Sequence, residues 1–261
     1  MYETQLKLLP KNPFVRAKRQ LQRQLRNESG VVPLLRIIRS LPKLPKRCRQ
    51  GLSIALLLLL STVTPADTTP GGPSIVVLGD SISAHYGLSE ADGWVELMRQ
   101  ALQADYPDVR VHNASISGDT TSGGLQRLPR ALERFQPDIV IIELGGNDGL
   151  RGSSLKQMTA NLQGMVDAAH SHGAQALILG MQIPSNYGPA YTEKFASAFV
   201  EVAETTGAAL VPFLLAPITK GPGDRKYFQA DGIHPTAEAQ PLMLQVVLPE
   251  LTQLLQSMAK P

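Results

Sequence analysis

The chain has 261 residues, 43% of them hydrophobic, with 25 Lys and Arg against 22 Asp and Glu and a single cysteine. The charge is uneven: residues 1–66 hold 13 Lys and Arg and two acids, a net of +11, whereas the other 195 residues hold 12 and 20, a net of −8. An acidic body of this kind excludes a phosphate-tracking nucleic-acid surface, and the lone Cys48 excludes disulfides, a thiol nucleophile and a cysteine metal site from everything after it.

Taken from the amino end, the basic stretch closes at Lys46-Arg47-Cys48-Arg49. An apolar run from Leu52 to Leu60 follows, then small and turn-forming residues from Ser61 to Ala66. This is the order of an export signal, with cleavage expected near Thr64-Pro65-Ala66 and a periplasmic or secreted bacterial product. The basic region is long for such a signal, which would normally begin in the forties. The apolar run is short for a membrane span, which needs about 20 residues. Cys48 precedes that run, whereas a lipoprotein cysteine would follow it. The expected organisation is a leader over 1–66, a linker over 67–73 and one domain over 74–261, long enough for a substantial core.

Within that domain, strand and helix patterns alternate. Strands are expected at Ile75–Leu78, Val109–Asn113, Ile139–Leu144, Ala176–Met181 and Ala209–Pro212. Helices are expected at Trp94–Tyr106, Leu125–Phe135, Leu155–Ala169, Pro189–Glu204 and Thr236–Gln256. Continuous apolar strands separated by helices imply a parallel sheet covered on both faces. With right-handed crossovers this is α/β: a three-layer α/β/α sandwich on a five-stranded parallel sheet. Sites in such sheets form beyond the carboxyl ends of the strands. Ser81 follows the first strand, Gly118 the second and Asn147 the third, so all three are expected on one rim.

Gly79-Asp80-Ser81 reads as a strand-to-helix turn in which a serine can attack and its own N–H can face an oxyanion. Alone, the tripeptide is better explained by a helix cap at Asp80 or Ser81. Asp231-Gly232-Ile233-His234 lets a carboxylate reach Nδ1 and leaves Nε2 for a serine; alone, it fits a surface histidine near a helix start. His85 is the rival base, but four residues into the same segment it points away from the attacking side and reads as a pocket wall or structural residue. His112 alternates within a strand and reads as packing. His170-Ser171-His172 reads as a helix end, where cationic side chains suit the dipole, and no metalloenzyme motif accompanies it. A glycine N–H at Gly118 and the Asn147 amide can together aim at a developing negative charge, although Gly145-Gly146-Asn147-Asp148-Gly149 also suits an ordinary turn.

The four blocks together, Gly79-Asp80-Ser81, Gly118, Gly145-x-Asn147-Asp148 and Asp231-x-x-His234, resemble those of the SGNH hydrolases, also called GDSL lipases/esterases. The likeness covers nearly all of 74–257. It is nearest to the bacterial periplasmic thioesterase I, lysophospholipase L1 and arylesterase group, which Asn113–Thr120, Glu143–Gly152, Pro184–Gly188 and Asp231–Pro235 resemble almost letter for letter.

The resemblance implies a flavodoxin-like strand order 2-1-3-4-5 and no metal or organic cofactor. It also implies a catalytic set of Ser81, Asp231 and His234, with an oxyanion hole from Ser81 N–H, Gly118 N–H and Asn147 Nδ2. The implied substrate is a small-molecule acyl ester or thioester, lysophospholipids included. Beside it, transient contact with lipid surfaces, no nucleic-acid partner and a monomeric state are expected. A carbohydrate O-deacetylase of the same mechanism is the nearest alternative. An ordinary α/β-hydrolase lacks its Gly-x-Ser-x-Gly elbow here, and a nucleotide-binding module lacks Gly-x-Gly-x-x-Gly. A non-catalytic cell-envelope binding protein is the remaining class. Residues 182–192 and 213–229 are long connections expected to shape the acyl site.

Overall fold

A computed structural model describes residues 72–258; the leader, its cleavage point and all of the linker but residues 72–73 lie outside them. The first strand, β1 (Ser74–Gly79), is buried along its whole length, as a continuous apolar run must be when both faces of a sheet are covered. It is followed by helix α1 (Trp94–Leu102), β2 (Arg110–Asn113), α2 (Thr121–Phe135) and β3 (Ile139–Glu143). A short α3 (Gly146–Leu150), α4 (Leu155–Ser171), β4 (Gln175–Leu179), α5 (Pro189–Thr206), β5 (Ala209–Val211) and α6 (Gln240–Met258) complete the chain.

The sheet is five-stranded, all parallel, in the order β2-β1-β3-β4-β5. Helices α2, α4 and α5 pack side by side in one layer, and α1 pairs with α6 in another. The expected three-layer α/β/α sandwich is therefore the observed one. The core runs through the sheet and both helix layers, with Trp94, Leu128, Ile141, Phe195 and Phe199 fully buried. Among the described residues no helix is long and apolar enough to cross a membrane.

Three local elements differ from the expected ones. Helix α2 begins at Thr121 rather than at Leu125, because the Thr120 side chain caps it through the Gly123 N–H. Residues 237–239 form a separate 3-10 turn before α6 instead of its first turn. The segment after Ser81 is a series of turns and not a helix: its Tyr86 N–H reaches back to Ser81 O, and His85 sits at φ 47°.

The core also supports the β3 exit. A Cβ on Gly145 (φ 120°) would lie 2.9 Å from Phe199 Cζ, so the turn rests directly on that ring. Phe199 also meets Phe195 edge to face at 5.3 Å. Phe199→Ala should therefore destabilise the fold by about 3–5 kcal/mol through the cavity it leaves. Thermal unfolding would check this, and an unchanged midpoint would show that the ring carries no such load.

Candidate active site

The carboxyl ends of β1, β2 and β3 and the loop before α6 meet at one rim. Ser81 lies two residues beyond β1, and the loop after β2 is tied to it by the Ile116 N–H donating to Gly79 O at 3.0 Å. The Asp231–His234 loop is internally braced. Asp231 Oδ1 accepts from the N–H groups of Ile233 (2.9 Å) and His234 (3.0 Å), while Oδ2 stands 2.7 Å from His234 Nδ1. On its other side, His234 Nε2 lies 2.8 Å from Ser81 Oγ, across 153 residues of sequence. The Asp231 carboxyl is held down at about 2, first by the bond to His234 and then by the two backbone N–H donors. It is thus an anion throughout the neutral range, facing the ring nitrogen that must carry a proton.

Behind Ser81 sit two buried carboxyls that the motif reading did not single out as a pair. Asp80 is 2% exposed and Glu143 is 0% exposed. Asp80 Oδ1 accepts from the Ile82 N–H, which is the capping role that a turn residue would play. Its Oδ2 accepts from Asn147 Nδ2 at 3.0 Å. Glu143 Oε2 accepts from the Asp80 N–H (3.2 Å) and from Ser83 Oγ–H (2.7 Å). Burial raises the Asp80 carboxyl to about 6 against the opposing pull of the Ile82 and Asn147 donors, and it drives Glu143 well above the usual carboxylate range, with the Asp80 charge adding to the effect.

A carboxyl whose folded value is raised adds stability below its unfolded value, near 3.9, and loses it as pH rises through the folded value. Replacing Asp80 by Asn removes that charge. The stability of the variant relative to the parent should therefore climb between about pH 4 and pH 6. Denaturant melts at both values would check the slope, and a parallel dependence in the two proteins would contradict it.

Asn147, in the first turn of α3, shares the wall of a cavity with Ser81 and His234. That cavity has a volume of about 430 Å³ and an apolar lining that includes Leu150, Met181, Ile183, Phe213, Leu215 and Ile233. The long connections expected to shape this region do so, through Gln182–Pro184 on one side and Phe213 and Phe228 on the other. Gly118, at φ 79°, stands in the loop after β2 and outside the cavity wall; its carbonyl accepts from Arg151. Arg127, on α2, clamps this loop to β1. It donates to Gly79 O at 3.1 Å and to Ala114 O, and its Nε meets Asp119 Oδ2 at 2.7 Å. Nothing in the sequence pattern singles out Arg127, because two of its acceptors are backbone carbonyls.

The other histidines lie elsewhere. His85 packs over Gly93 in a small polar pocket apart from Ser81. His112 stacks on Phe135 at 4.2 Å. His172 Nδ1 meets Ala168 O just past the end of α4. Tyr86 is the aromatic neighbour that the motifs did not reveal: its ring lies 4.3 Å from that of His234.

Residues 77–241, which span all of these groups, match the model of the GDSL-like Lipase/Acylhydrolase family. Over 204 residues the chain is 48% identical to Esterase TesA of Pseudomonas aeruginosa, covering 78% of this chain and 98% of that one. It is 39% identical to an arylesterase of Vibrio mimicus over 202 residues, covering 77% and 97% of the two chains. Among solved structures it is similar to the psychrotrophic esterase EstA from Pseudoalteromonas inhibited by monoethylphosphonate, with a TM-score of 0.66, 39% identity and coverage of 70% of this chain and 98% of that one.

Proposed function

Since the chain belongs to the GDSL-like lipase/acylhydrolase family and is an ester hydrolase of it, we propose that Ser81 is the nucleophile, His234 the base and Asp231 the group that orients His234. The observation that carries this reading is the unbroken line from Asp231 Oδ2 through the imidazole to Ser81 Oγ, at 2.7 and 2.8 Å, on the wall of an apolar cavity.

Ser81 Oγ attacks the acyl carbonyl while His234 Nε2 takes its proton. The oxyanion accepts hydrogen bonds from Ser81 N–H, Gly118 N–H and Asn147 Nδ2. The protonated His234 then gives its proton to the departing alcohol or thiol, and water attacks the acyl-enzyme with His234 again as base. The groups named here need no cofactor for these steps. One Asn147 amide hydrogen is held by Asp80, which leaves the other free to face the oxyanion. Asn147→Ala should therefore lower kcat about 10²–10³-fold with KM little changed. Steady-state kinetics would check this, and an unaffected kcat would remove Asn147 from that role.

The apolar lining favours fatty acyl esters and thioesters over acetylated carbohydrate. A series of esters and acyl-thioesters of rising chain length, assayed beside an acetylated sugar, tests this. Turnover that climbs with chain length supports the reading, whereas a preference for the acetylated sugar supports the O-deacetylase.

Contact with lipid surfaces is part of the same proposal. Tyr86 (51% exposed), Ile116 (53%), Ile233 (47%) and Tyr187 (39%) are four of the five exposed large hydrophobics among the described residues, and all four lie on the loops around this rim. Ile116→Ser should slow hydrolysis of a micellar lysophospholipid while leaving a dispersed short ester unaffected. Equal rates on the micelle would exclude this contact.

We infer that the active unit is a single chain, since one copy supplies every group named above. Export by the leader rests on its basic, apolar and small-residue order, and sequencing the amino terminus of the protein recovered from the periplasm or medium tests it.

A further inference from the structure

The acyl-hydrolase reading leaves one question that the geometry can address: what keeps His234 beside Ser81 once Ser81 Oγ is acylated and can no longer donate to it. The two residues sit on separately braced segments. On one, the Ala84 N–H donates to Asp80 O (2.9 Å) and the Tyr86 N–H to Ser81 O (3.1 Å). On the other, the Gln229 N–H donates to His234 O (2.8 Å), the Gly232 N–H to Gln229 O (2.9 Å) and the Thr236 N–H to Tyr227 O (2.8 Å).

The Gln229 side chain spans the two segments. Its Nε2 donates to Tyr86 O at 2.8 Å and to Pro235 O at 3.1 Å. Among the described residues this is the only hydrogen bond between 80–87 and 228–236 besides the Ser81–His234 bond itself. The approach is close: a Cβ on Gly87, at φ 73°, would lie 2.3 Å from Gln229 Oε1. Any side chain at position 87 would therefore push the clamp apart.

We propose that Gln229 is a positioning residue for deacylation, tying the turn that carries Ser81 to the loop that carries His234 while no bond joins the two catalytic side chains. In that step water oxygen attacks the acyl carbonyl, His234 Nε2 takes the proton from water, and Ser81 Oγ leaves and recovers that proton. In the free enzyme the Ser81–His234 bond supplements the clamp, so acylation depends on Gln229 less. The proposal rests on the acyl-hydrolase reading above.

The test separates the two half-reactions in Gln229→Met, which keeps the length of the side chain and removes the donor. Deacylation, followed after an acyl-enzyme burst, should slow by about 10- to 100-fold, the scale of a small misplacement of the base. Inactivation of Ser81 by an organophosphonate, which reports the first attack, should change much less. Deacylation at the parent rate, or an equal loss in both steps, would overturn the proposal.

Should Gln229→Met not fold, Gln229→Glu serves in its place. It keeps the shape but turns an acceptor toward two carbonyls, so slow deacylation is again expected and a parent rate overturns the idea. A parent enzyme that hydrolyses esters without ever being modified at Ser81 would instead defeat the underlying reading, before Gln229 is compared.

Discussion

Asp231→Asn is expected to lower kcat about 10⁴-fold while the loop stays folded, the scale set by a wrong imidazole tautomer. The amide oxygen of Asn can still accept from the Ile233 and His234 N–H groups, so the backbone bonds that shape the loop survive. What changes is the 2.7 Å contact with Nδ1. An amide NH₂ there presents a donor, Nδ1 must then accept, and the ring proton moves to Nε2. That nitrogen can no longer take the Ser81 proton across its 2.8 Å contact.

The charge itself matters less to stability. The Asp231 carboxyl is depressed to about 2, so its stabilising contribution is present above its unfolded value and is lost only as pH falls through the folded one. At neutral pH that contribution is fully present and the Asn variant loses it, so the variant should melt below the parent, by a margin kept small because the Asp231 side chain is partly exposed. Parallel measurement of kcat and the melting midpoint would check both statements. A modest loss of kcat in a fully folded variant would mean that Asp231 does not set the tautomer.

Ser81→Ala should be more severe, with a loss of about 10⁶-fold in kcat, because it removes the atom that forms the covalent bond and no neighbour replaces it. Among the described residues Ser81 alone presents an oxygen to His234 Nε2. Ser83, the nearest hydroxyl in sequence, is buried and donates to Glu143. Folding should survive, since Ser81 Oγ makes no hydrogen bond in the fold other than the one to His234. Substrate binding should survive too, so KM is a control: a collapse of binding together with kcat would indicate misfolding and not loss of the nucleophile. Hydrolysis at anything near the parent rate would remove Ser81 from the chemistry.

Much of this architecture was legible in the amino-acid order. The runs Ile75–Leu78 and Ile139–Ile142 are apolar at every position because β1 and β3 are covered on both faces, and that pattern marks a parallel sheet. The three-residue spacing of Asp231 and His234 let the carboxylate be placed at Nδ1 in advance, since the contact is local.

Other features were hidden for reasons that can be named. Thr121-Ser122-Gly123-Gly124 reads as a loop, yet it opens α2: Gly124 packs so close to Leu144 that a Cβ there would lie 2.2 Å from its side chain, a contact with no local signature. The turns after Ser81 replace the expected helix where the Ser83 hydroxyl donates to Glu143, 60 residues away, a partner that no local pattern shows. Arg127 and Gln229 bond mainly to main-chain carbonyls, which every residue carries, so no motif announces them. Glu143 did leave a trace, as a charged residue closing an apolar strand. Its burial beside Asp80 depends on a pairing that only the folded sheet supplies.

Trapping the covalent intermediate tests the central claim most directly. The enzyme would be mixed with a chromogenic acyl ester, quenched in acid during turnover and digested for peptide mass analysis. The peptide that carries Ser81 should be heavier by one acyl group and should return to its original mass as substrate is exhausted. An acyl group on another residue, or full turnover with no acylated peptide at any time, would contradict the mechanism.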